Sequence, residues 1–165
     1  MSVKRRRAYE AGHRAKFLVI VDDTPEADRA LYFAARRAAR VGVGLILLTV
    51  MSATDFQAPL GVGDAIKAEA EEDAGRMLDA AAARARAIVG IEPERAMRAG
   101  AKLEEIVNLI EEDEDIALLV LAAGTGSEGP GPLVSMLASA AGANFPVPVA
   151  IVPGHLADED IDALT

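Results

Sequence analysis

The chain has 165 residues, 52% hydrophobic but only 4% aromatic, with no Trp and no Cys. That length suits a single domain that buries roughly 70% of its unfolded surface, and the composition excludes a disordered chain, disulfides, thiolate catalysis and Cys-ligated zinc. Seventeen Lys and Arg against 26 Asp and Glu give a net charge of −9, which argues against a nucleic-acid binder, since such proteins use basic charge to displace counterions.

The acidity is unevenly placed. Lys4, Arg5, Arg6, Arg7, Arg14 and Lys16 face only Glu10 in residues 1–16, leaving +5 there and −14 in the remainder. Residues 1–15 show no hydrophobic period and are expected to form a flexible basic arm. The alternative is an arm that contacts the acidic body or an anionic partner. No apolar run reaches the ~18 residues of a membrane span, and no secretory apolar region follows the arm; no membrane association and a cytoplasmic location are expected.

Lys16-Phe17-Leu18-Val19-Ile20-Val21 is a short apolar run of the kind buried on both faces of a parallel sheet. It stops at Asp22-Asp23. Thr24 is placed as an N-cap, Pro25 as the first helical residue and Glu26 where the helix dipole favours negative charge. Ala27, Ala30, Leu31, Ala34, Ala35, Ala38 and Val41 then recur at helical spacing, with Gly42 as the stop. Leu45-Ile46-Leu47-Leu48-Thr49-Val50 is a second buried strand, and residues 52–63 read as a loop. A long amphipathic helix is expected over 64–89, an edge strand of mixed polarity over 94–99 and a third helix over 103–112. Ile116-Ala117-Leu118-Leu119-Val120-Leu121 is another buried strand. A glycine-rich loop over 123–132 follows it, then a short helix over 133–141 and a last strand, Val149-Ala150-Ile151-Val152. Residues 154–165 form an acidic tail, either peripheral or a short helix.

This alternation specifies a doubly wound α/β domain over 16–153 with a five-stranded parallel sheet and helices on both faces. Ligands of such sheets sit at the carboxyl ends of the strands, where the winding reverses. Two strand ends carry unusual chemistry: Asp22-Asp23 after the first, and the glycine loop after the fourth.

Gly124-Thr125-Gly126-Ser127-Glu128-Gly129 is a literal GxGxxG. It lacks the acidic residue that a dinucleotide fingerprint places at the end of the next strand, and Pro130 and Gly131 stand where a phosphate loop requires Lys and Ser or Thr. The loop either turns backbone N–H groups toward an anion or simply needs glycine turns. Asp22 likewise either accepts a hydrogen bond from a base or ribose or solvates the turn, and the first role is preferred because the helix start needs only Thr24 and Pro25. His13 and His155 lie outside every periodic segment, so neither a protein-coordinated metal nor a catalytic triad is supported, and no catalytic residue is expected.

Phe17-Leu18-Val19-Ile20-Val21-Asp22 with Thr24, Leu47-Leu48-Thr49-Val50, the Gly-x-Gly after Leu118-Leu119-Val120-Leu121, and Pro148-Val149-Ala150-Ile151-Val152 together resemble a universal stress protein domain. The resemblance implies a Rossmann-like, adenine nucleotide alpha hydrolase-like fold with strand order 3-2-1-4-5. It implies adenine held by Asp22, with neighbouring Asp23, and by the main chain near Val50. ATP, ADP or AMP phosphates would rest on a G-x2-G-x9-G-[S/T] loop. Gly126 and Gly129 match its first half, with Gly124 and Ser127 beside them, but Ser139 and Ala140 occupy the last two positions. The expected function is a stress-response regulator that binds an adenine nucleotide, a weak ATPase at most. The alternative is a dimeric interaction protein of the same fold, without nucleotide. For either function the resemblance implies a homodimer, with the strand over 149–152 as the expected contact.

Overall fold

The computed structural model describes residues 4–52 and 63–165, and in it the apolar runs of the sequence become neighbouring strands. Strands β1 (Lys16–Ile20), β2 (Gly44–Met51), β3 (Glu94–Ala99), β4 (Ile116–Ala123) and β5 (Val149–Pro153) pair in parallel in the order β3-β2-β1-β4-β5. Helices α1 (Ala27–Val41), α2 (Gly63–Val89), α3 (Lys102–Glu112), α4 (Pro132–Leu137) and α5 (Asp158–Leu164) connect or follow them. Most of the expected 52–63 loop lies outside the described residues, and Gly63 already begins α2.

Strand residues alternate between the two faces of the sheet, and each face has its own core. Phe17, Val19, Leu45, Leu47 and Val120 pack with α1 and α2, whereas Leu18, Ile20, Ile46, Leu48, Leu119 and Leu121 pack with Ile106 and Ile110 of α3. The α1 face is built largely of Ala30, Ala34, Ala35 and Ala38, all 1% exposed or less. Such small side chains bring the helix close to the sheet, and a larger one there would overpack the core at a cost of about 1–3 kcal/mol. Strand β3 is an edge, as its mixed polarity predicts, with a largely exposed pattern.

Several local expectations change. Thr24 is not the cap of α1: its N–H and hydroxyl both donate to Asp22 Oδ1, and the helix begins at Ala27 with no side-chain cap. The carboxylate closes an Asx turn one step earlier than the Thr-Pro pattern implies. Helix α4 ends at Leu137 rather than near 141, and a 3-10 turn follows over Ala140–Asn144. Residues 154–165 are no loose tail, because α5 docks on α1 with Ile161 fully buried. The Tyr32 hydroxyl donates to Asp162 Oδ1 at 2.8 Å, and the Tyr32 ring lies 5.4–5.8 Å from the guanidinium carbons of Arg29, Arg36 and Arg84.

The flexible basic arm expected over 1–15 is, across residues 4–15, an ordered strap. Ala8 and Ala15 are buried, and the Arg7 N–H donates to the Glu114 carbonyl at 2.9 Å. Arg6 donates to the carbonyl oxygens of Ile110 and Asp113, and His13 Nδ1 lies 2.6 Å from Asp115 Oδ1. The cause is local: α3 carries no basic residue in its last turn, so its terminal carbonyls and the acidic run 111–115 draw donors from the arm.

Candidate functional site

Because all five strands are parallel, the ends of β1, β2 and β4 and the starts of α1, α3 and α4 meet along one edge of the sheet, where the winding reverses between β1 and β4. The buried Thr49 hydroxyl donates to the Val21 carbonyl at 2.9 Å and fixes the end of β2 beside that of β1. Among the described residues several clefts open at this edge, and two of them share Asp22, Asp23 and Lys102. The wider, about 770 Å³, runs between β2 and α2 and is lined by Asp22, Asp23, Val50 and Lys102 among others. The narrower, about 200 Å³, runs toward the glycine loop and shares Asp22, Asp23 and Lys102, adding Glu26, Pro130 and Gly131.

Of the residues singled out by sequence, Asp22, Asp23 and Val50 converge on the wide cleft, whereas Gly124, Gly126, Ser127, Gly129 and Ser139 line neither. The glycine loop closes on itself instead. The Gly124 N–H donates to the Pro130 carbonyl at 3.0 Å and the Gly129 N–H to the Gly126 carbonyl at 3.1 Å, so both amides are engaged within the loop. Gly129 and Gly131 adopt φ of +86° and +108°, a backbone region open chiefly to glycine. Gly124 sits in a tight place: a Cβ there would stand 3.0 Å from Glu26 Oε1 and 3.1 Å from the Gly129 carbonyl oxygen. The Ser139 hydroxyl turns back to the Met136 carbonyl.

Two residues that the sequence did not mark complete the site. Lys102, the first residue of α3, lines both clefts and places Nζ 3.7 Å from Asp22 Oδ2. Glu26 borders the narrow cleft with its carboxylate over Gly124. Among the described residues no group of three or more His, Cys, Asp or Glu is placed to hold a metal ion, and no helix is long and apolar enough to cross a membrane.

A family model described as the universal stress protein family matches residues 13–153. The chain belongs to that family. No curated protein matches it by sequence, but solved universal stress proteins share its fold. UspA from Lactobacillus plantarum is 19% identical, with 84% of this chain and 97% of that one covered at a TM-score of 0.68. A universal stress protein from Archaeoglobus fulgidus in complex with dAMP is 22% identical over 84% and 97% of the two chains, at a TM-score of 0.55. A universal stress protein family protein from Arabidopsis thaliana with AMP bound is 18% identical over 88% and 94%, at a TM-score of 0.59. Within this family fold, Asp22 and Val50 are marked by their places at strand ends. Lys102 carries only one weak signal, a cation just after the Gly100 turn that ends an edge strand.

Proposed function

We propose that this universal stress protein is a ligand-binding regulator of the stress response that holds an adenine nucleotide in the crevice at the carboxyl ends of its strands. The observation that carries this reading is the convergence of Asp22, Val50 and Lys102 on one cavity of about 770 Å³, inside the range of about 300–1,000 Å³ usual for small-molecule sites. Asp22 offers acceptor oxygens to a base amine or a ribose hydroxyl. The end of β2 at Val50 offers main-chain polar groups beside an apolar surface for a flat ring. Lys102 offers a cation to a phosphate. The relatives solved with AMP and dAMP support adenine as the base.

Thermal denaturation with AMP, ADP and ATP, together with native mass spectrometry of the purified protein, tests this directly. A nucleotide supplied at 100 times its Kd is expected to stabilise the fold by about 2.7 kcal/mol, seen as a raised Tm. No shift with any of the three and no co-purified nucleotide would overturn the reading.

One observation favours a second reading, an interaction protein that works as a homodimer without nucleotide. Strand β5 is a free sheet edge, apolar along its length, with Ile151 41% exposed. An edge of that kind invites pairing with another strand, and a second copy of the same strand supplies it.

A further inference from the structure

We infer that Glu26 is a specificity-determining residue that restricts the crevice to an adenine nucleoside or its monophosphate and rejects di- and triphosphates. This rests on the adenine-nucleotide reading above and adds how many phosphates the ligand carries. A flat base and its ribose need the wide cleft, because the narrow one, at about 200 Å³, is below the usual range for ligand pockets. The two clefts join at Asp22, Asp23 and Lys102. A first phosphate leaving the wide cleft at this junction meets the Lys102 ammonium, and a further phosphate that continues toward the glycine loop enters the narrow cleft beside the Glu26 carboxylate.

Three features make that entry unfavourable. The Glu26 carboxylate sits at the loop: its side chain lines the narrow cleft, and its Oε1 stands where a Cβ on Gly124 would meet it at 3.0 Å. Two of the loop's amides are already spent, since those of Gly124 and Gly129 are bonded to the Pro130 and Gly126 carbonyls. The charge balance is also adverse. Among the described residues, Asp22, Asp23 and Glu26 line the narrow cleft with a single cation, Lys102, and like charges brought together in a partly desolvated cleft repel more strongly than in water.

Isothermal titration of the full chain with adenosine, AMP and ATP, in buffer without divalent cations, tests the inference. The unaltered protein is expected to bind AMP at least about tenfold more tightly than ATP, a gap of about 1.4 kcal/mol. In the isosteric Glu26→Gln protein, ATP is expected to tighten by about tenfold while adenosine and AMP change by less than about twofold. The unchanged adenosine affinity also shows that the variant is folded. Equal affinity of the unaltered protein for AMP and ATP, or equal tightening of both by Glu26→Gln, would overturn the role of Glu26. Failure of adenosine and AMP to bind at all would instead remove the adenine reading beneath it, a pattern the titrations separate at once.

Discussion

At Asp22 one carboxylate serves two neighbours: Oδ1 accepts from the Thr24 N–H at 3.0 Å, and Oδ2 stands 3.7 Å from Lys102 Nζ. An ion pair this open contributes only about 0–1 kcal/mol, so an incoming phosphate can take the ammonium at little cost. A Lys102→Ala protein is accordingly expected to bind AMP about tenfold more weakly, or about 1.4 kcal/mol, while adenosine stays within about twofold. Equal losses for both ligands, measured by titration, would assign Lys102 to shaping the cleft rather than to the phosphate. The sequence drew attention to Asp22 on the premise that the helix start needs only Thr24 and Pro25, whereas in the fold the Asp22 carboxylate itself closes that turn through the Thr24 N–H and hydroxyl. Lys102 was not legible in the sequence, since no spacing relates positions 22 and 102, and only the crossover through α3 brings them together. The glycine loop was legible as a pattern, but not in its internal pairing: the Gly124 and Gly129 amides are consumed by carbonyls of Pro130 and Gly126, which glycine spacing does not encode.

Among the elements, α5 is fastened by charge as well as by Ile161. Burial pushes the Asp28 carboxyl up, but hydrogen bonds from Arg84 and Arg29 outweigh that and hold it below the usual carboxylate range. Arg29 in turn reaches Asp158 at 2.8 Å, and hydrogen bonds from Arg36 and Tyr32 lower Asp162. Both folded pKa values lie below their unfolded ones, so this stabilisation is fully present above the unfolded pKa and is lost as pH falls through the folded values. The urea midpoint is therefore expected to drop below about pH 4, and to drop less steeply in an Asp28→Asn, Asp162→Asn double variant. Parallel pH profiles for the two proteins would show that the network does not couple to folding. The strap over residues 4–15 belongs to the same scale. Its basic charge and the acidic run 111–115 were visible in the sequence, but its main anchors are backbone carbonyls at the end of α3, and carbonyls have no sequence signature.

For the molecule as a whole, the strand order and the two helix layers followed from alternating apolar runs read together with the family resemblance. The strand periodicity separates the two cores residue by residue, as with Leu18 and Val19 on opposite faces. The homodimer that the resemblance implies is not decided by the fold, because a free edge looks the same in a monomer and in a dimer. If the β5 edge pairs two copies, sedimentation of the unaltered chain is expected to give twice the protomer mass, and Ile151→Glu is expected to halve it. Ile151 is 41% exposed, so the variant should keep its stability within about 0.5 kcal/mol. A chain that sediments as a monomer across concentration would remove the edge from consideration.

The setting of Tyr32 makes part of this molecule optically visible. The chain has two tyrosines and no tryptophan; Tyr9 is 77% exposed and Tyr32 only 8%. Near-ultraviolet circular dichroism in the tyrosine band is thus dominated by one phenol, held between three guanidinium groups and Asp162. Detachment of α5 can be followed in that signal without a label. With no tryptophan and two tyrosines in the chain, the absorbance of an entering adenine is read against a nearly dark protein.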